Sequence, residues 1–114
     1  MAYKVQILDY ARDQITDQTK YVKEKFGTAK AKQSYQAINK KLASLKDSPR
    51  SKGIKVPELE ALGITNYRNL IHESHTKALY EIDDINQTVT VHMVYGSAQD
   101  FQTLLYNRII RYIP

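Results

Sequence analysis

Three strand-like runs and a helix start, gathered into residues 67–100, limit this chain more than any other feature. The runs are Tyr67-Arg68-Asn69-Leu70-Ile71-His72, Lys77-Ala78-Leu79-Tyr80-Glu81-Ile82-Asp83 and Thr88-Val89-Thr90-Val91-His92-Met93-Val94-Tyr95. They are rich in Val, Ile, Thr and Tyr, which fit a pleated surface. Asp83-Asp84-Ile85-Asn86-Gln87 supplies turn chemistry between the second and third. Strict alternation along the third run puts Val89, Val91, Met93 and Tyr95 on one face, which wants a core. Thr88, Thr90, His92 and Val94 share the other, mixed face.

Upstream, Tyr3 to Leu8 alternates as a short first strand, and Asp9 suits an N-cap. Ala11, Ile15, Val22 and Phe26 recur at helical spacing, and Gly27 suits the end of that helix. Thr28 is a cap for a second helix whose stripe is Ala31, Tyr35, Ile38, Leu42 and Leu45. So short a connection predicts an antiparallel helical hairpin. Asp47-Ser48-Pro49-Arg50 ends the second helix, because the residue before proline is pushed out of the helical region. Residues 51–65 read as a connection, with Leu59 and Leu62 tucked against the core.

After the strands, Ser97 is placed to cap a last helix, with Asp100 near its positive end. Phe101, Leu104, Leu105 and Ile109 form its apolar stripe. Arg108 and Arg111 suit the dipole at its C-terminal end, and Tyr112-Ile113-Pro114 is an apolar tail. The order is therefore β-α-α-β-β-β-α, an α+β fold. The hairpin is expected on one face of a small, mainly antiparallel sheet, with the other face partly open.

With 114 residues, the expectation is a single domain over 1–114. There is no cysteine, so neither disulfides nor a thiolate metal site can form. No His/Asp/Glu spacing resembles a closed metal site, and no nucleophile elbow is present. No metal or cofactor is expected. No apolar run reaches the roughly 20 residues of a membrane span. The opening residues lack a signal-peptide core, which points to a cytoplasmic protein without a membrane partner. A net charge of +5 and a pI of about 9.4 suggest an acidic partner.

Four pieces of this sequence, taken in order, resemble the RelE/ParE superfamily of toxins from toxin–antitoxin modules. They are the Tyr3-to-Leu8 strand running into the Asp9 helix, and Asp47-Ser48-Pro49 after the second helix. The third is Val56-Pro57-Glu58-Leu59 leading to Tyr67-Arg68-Asn69-Leu70 and Leu79-Tyr80-Glu81-Ile82-Asp83. The fourth is Val89 to Val94 leading to Ala98-Gln99-Asp100-Phe101. The resemblance covers nearly the whole chain. It implies a cytoplasmic toxin of the kind found in plasmid stabilisation modules, neutralised by a cognate acidic antitoxin.

That superfamily has two activities. ParE-like members poison DNA gyrase without an accepted catalytic centre, whereas RelE-like members cut mRNA on the ribosome. The run from Ala98 to Leu105 is similar to the ParE pattern, although Gln99 stands where Arg is usual. The resemblance therefore implies a ParE-like gyrase inhibitor first. A ribosome-dependent endoribonuclease and a degenerate, non-toxic relative are the alternatives.

Cutting RNA needs a base for the ribose 2′-hydroxyl, a cation for the phosphate and an acid for the leaving oxygen. Arg68 matches the strand arginine of RelE-like members. Their second arginine falls on Ala98, and their late tyrosine near Leu104, with Tyr106 close by. His72, His75, Tyr80 and Tyr95 also lie near the strands. The catalytic candidates are Arg68, Lys77, His92 and Tyr106. For binding a target or an antitoxin they are Arg68, Gln99, Phe101, Leu105, Arg108, Ile109, Arg111 and Ile113. Arg68 has a structural alternative, an ion pair with Glu81 across neighbouring strands.

Overall fold

The computed structural model describes residues 2–73, 76–96 and 99–114. Strand β1 (Lys4–Ile7) leads into helices α1 (Asp9–Phe26) and α2 (Thr28–Ala43). A 3-10 turn (Ser44–Lys46), short helix α3 (Pro49–Lys52), two-residue strand β2 (Ile54–Lys55) and short helix α4 (Pro57–Glu60) follow. Strands β3 (Tyr67–His72), β4 (Thr76–Asp83) and β5 (Thr88–Gly96) then precede helix α5 (Phe101–Arg108) and a 3-10 turn (Ile110–Tyr112). The sheet order is β1-β5-β4-β3-β2. β1 runs parallel to β5, and every other pairing is antiparallel.

The architecture is the expected α+β one, with the helical hairpin on the sheet. Its joint is Gly27, whose φ of 93° is open to glycine and strained for other residues. The caps differ from expectation. Asp9 and Thr28 are the first residues of their helices, and neither helix has a side-chain cap. Asp100, not Ser97, caps α5, its carboxylate accepting from the Thr103 N–H at 3.2 Å. Ser97 itself lies outside the described residues, as do Ala98 and His75. The Asp83 turn forms as read, with its carboxylate accepting from the Ile85 and Asn86 amides, both at 3.1 Å.

Ala11, Ile15, Ile38, Leu42 and Leu45 pack on Leu70, Ala78, Tyr80, Ile82, Val89, Val91 and Val94. The helical stripes outrun this contact. Tyr35 is 43% exposed and Phe26 67%, so both leave the core assigned to them, and Val22 is only half-buried. The distal half of the hairpin overhangs the sheet.

Met93 and Tyr95 depart furthest from the reading by alternation. Leu79 pairs with Met93, yet its neighbour Tyr80 pairs with Val91, so His92 is an extra residue in β5. Such a bulge reverses the facing of everything beyond it. Val94 turns to the hairpin side. Met93 and Tyr95 turn away, into a second cluster with Val56, Leu59, Leu79, Leu105 and Ile109. The second face, expected to be partly open, thus carries its own core beneath α4 and α5. The connection 51–65 is more structured than expected, and within it Leu59 is buried while Leu62 is 55% exposed.

Candidate functional site

The bulge also positions chemistry. On the second face, beyond the apolar cluster, His92 Nε2 lies 2.9 Å from Glu81 Oε1. The Asn66 amide donates to Glu81 Oε2 at 3.2 Å. The Tyr67 ring lies 5.4 Å from the imidazole, centroid to centroid. Tyr67 and Glu81 are direct cross-strand partners, which aims both side chains the same way. Thr90 pairs with Glu81 on the other side, and its hydroxyl accepts from the Gln6 amide at 2.9 Å.

The imidazole of His92 is the strongest influence on Glu81 and holds its carboxyl below the usual range, against burial, which pushes it up. Burial pushes the Tyr67 phenol up, and the Glu81 carboxylate adds to that. The site therefore holds an ionised carboxylate, an imidazole oriented by it and a neutral phenol. With Nε2 committed to Glu81, Nδ1 is the nitrogen left to exchange a proton with a ligand. Among the described residues no group of His, Asp and Glu is arranged to hold a metal ion.

The four residues proposed for RNA cleavage do not converge. Arg68 pairs in register with Tyr80, a residue of the hairpin-side core, and so sits on the opposite face from His92. Its Nη1 donates to the Gly53 carbonyl at 3.1 Å, and its Nε is buried without a partner. The anticipated Arg68–Glu81 ion pair does not form, because adjacent positions on a strand face opposite ways. Lys77 is exposed between Ile71 and Tyr95 in register. Tyr106 lies on α5 and is 57% exposed.

The residues proposed for binding divide in the same manner. Leu105 and Ile109 are core residues of the second cluster, so they are not presented to a partner. Phe101 stacks on Tyr95, with centroids 4.9 Å apart. Arg108 covers the Tyr10 ring at 3.7 Å, a cation–π contact. Gln99 is exposed, and its Oε1 accepts from the Gly96 amide at 2.8 Å. Arg111 and Ile113 remain at the exposed end of the chain.

Asn66, Tyr67 and Glu81 were missed as a group. A pairing register that places Tyr67 opposite Glu81 would have found two of them, but the bulge that adds His92 leaves no mark in the pattern.

No family model matches this chain, and no curated protein does. Solved structures do resemble it. The toxin–antitoxin complex RelBE2 of Mycobacterium tuberculosis aligns at a TM-score of 0.60 and 18% identity, covering 84% of this chain and 99% of the other. The chromosomal ParDE system of P. aeruginosa aligns at 0.67 and 13% identity, over 83% and 96% of the two chains. A double-arginine mutant of the E. coli toxin RelE, in its free state, aligns at 0.61 and 19% identity across 100% of both. The fold is that of the RelE/ParE toxin–antitoxin proteins.

Proposed function

We propose that this chain is the toxin of a type II toxin–antitoxin pair, with residues 1–114 acting as one unit, and that an acidic cognate antitoxin neutralises it. Its action is ParE-like: it inhibits DNA gyrase by binding rather than by cutting RNA. The observation that carries this is the separation of Arg68 from His92 on opposite sheet faces, with the Arg68 guanidinium engaged by Gly53. A phosphate cannot sit on that arginine while its ribose meets the imidazole. The net charge of +5 suits an acidic antitoxin, whose encounter would be accelerated by opposite charge.

One observation favours the endoribonuclease reading. Glu81, His92 and Tyr67 form an acid–base group of the kind that 2′-hydroxyl attack requires. The deciding experiment runs purified protein in parallel against gyrase supercoiling and against ribosomes programmed with mRNA. Loss of supercoiling with intact mRNA is expected. Cleavage that disappears in His92→Ala would establish the second reading. Inactivity in both assays, with no growth arrest on induction, would leave a non-toxic relative.

A further inference from the structure

The charge of this protein is not spread evenly. Residues 20–55 carry eleven of the seventeen cations and two of the twelve anions, a net +9, which leaves −4 for the rest. That stretch is the end of α1, all of α2 and the connection after it, and from Gly27 to Lys46 it contains no acidic residue. Among the described residues no lysine forms an ion pair. The overhang also exposes three aromatic rings: Tyr21 at 58%, Phe26 at 67% and Tyr35 at 43%.

Phe26 walls an open concavity of about 590 Å³, completed by Ala29, Lys30, Lys32, Gln33 and Gln36. No acidic side chain lines it. A flat exposed ring, two ammonium groups and two amides that each donate and accept line it together. They match the three parts of a nucleotide. A base stacks on a ring, its edge pairs with amides, and its phosphates attract lysines. An apolar protein anchor would want a deeper, drier pocket than this one.

We propose that the overhanging tip of the hairpin binds single-stranded nucleic acid without strong sequence preference, with Phe26 as the stacking platform and Lys30 and Lys32 on the backbone. This surface is separate from the Glu81–His92 site and does not depend on the toxin reading, which the supercoiling and cleavage assays address.

The test is fluorescence anisotropy of a labelled oligouridylate over a salt series, with a polyglutamate peptide and a DNA duplex as competitors. Binding should weaken as salt rises. Replacing Lys30 and Lys32 together by Gln should reduce the slope of log K against log salt by roughly 1.4, about 0.7 for each phosphate that is no longer neutralised. Phe26→Ala should weaken binding about fivefold to 100-fold, and Phe26→Tyr should restore it. Phe26 is largely exposed, so thermal unfolding of these variants should match the parent and separate a binding defect from a folding defect. The proposal is overturned if Phe26→Ala binds as the parent does. It is equally overturned if polyglutamate or the duplex competes as well as the single strand, which would make the tip a general anion surface.

Discussion

A Cβ built on Gly53 would stand 2.6 Å from the Tyr80 hydroxyl and 2.7 Å from the Asn69 carbonyl, although its φ of −123° is open to any residue. Glycine is required there for space. The Tyr80 hydroxyl donates to the Pro49 carbonyl, and Arg68 donates to the Gly53 carbonyl, so this junction ties the connection to the sheet. Gly53→Ala should lower stability by about 1–3 kcal/mol, as overpacking does, read as a shifted urea midpoint. The same substitution in a Tyr80→Phe background should cost less than the two changes added, because the nearest clashing atom is gone. Arg68→Ala removes one hydrogen bond and should cost about 1 kcal/mol. If growth arrest disappears while the unfolding midpoint hardly moves, Arg68 contacts the target; a large loss of stability would make it a structural residue only.

Among the elements, the sheet has two cores rather than one. Leu42 is fully buried on the hairpin side and Met93 fully buried under α5. Leu42→Ala and Met93→Ala should each cost roughly 2–5 kcal/mol, and Tyr35→Ala on the overhang should cost little. Their effects should add within about 0.5 kcal/mol, since they occupy opposite faces. Strong coupling in the double variant would contradict two separate clusters. Helix α5 and its C-cap turn Leu105 and Ile109 inward, which leaves Tyr112, 72% exposed, and Ile113 as apolar surface at the end of the chain. Truncating both to alanine should weaken an antitoxin complex by more than about 1 kcal/mol if that end is an anchor. Calorimetry giving an unchanged affinity would move the antitoxin to another surface.

For the molecule as a whole, ionisation bounds stability on both sides. Burial raises the Tyr80 phenol from 10.0 to about 12, so its neutral form is favoured in the folded state. That contribution is fully present below pH 10 and is lost as pH rises towards 12. Glu81 is lowered from 4.5, chiefly by His92, so its contribution is present above 4.5 and is lost as pH falls through its depressed value. Asp83, Asp84 and Asp100 are also lowered, by hydrogen bonds from Asn86, Arg50 and Thr103 respectively, and act in the same direction. Unfolding midpoints plotted against pH should therefore form a plateau between an acid and an alkaline limb. Glu81→Gln should make the acid limb shallower. An acid limb identical to the parent's would mean that the Glu81–His92 pair contributes nothing to folding.

The order of the long elements was legible in the sequence, though α3, β2 and α4 were not, because period and turn chemistry are local. The alternation of β3, β4 and β5, the Asp83 turn, Gly27 at the hairpin joint and the Ala31–Ile38–Leu42–Leu45 stripe each depend on near neighbours. What lies opposite what could be decided only by tertiary structure. One unpaired residue at His92 sent Met93 and Tyr95 to the second face, and no residue type marks a bulge of this kind. Helical spacing assigned Phe26 and Tyr35 to a core, but whether a stripe is buried depends on how far the sheet extends beneath it. The same reason governs the candidate site. Arg68 and His92 were both readable as functional residue types, yet cross-strand register put them on opposite faces and gave His92 to Glu81. Periodicity determines which side chains share a face within one element, whereas pairing register and packing determine which elements those faces meet.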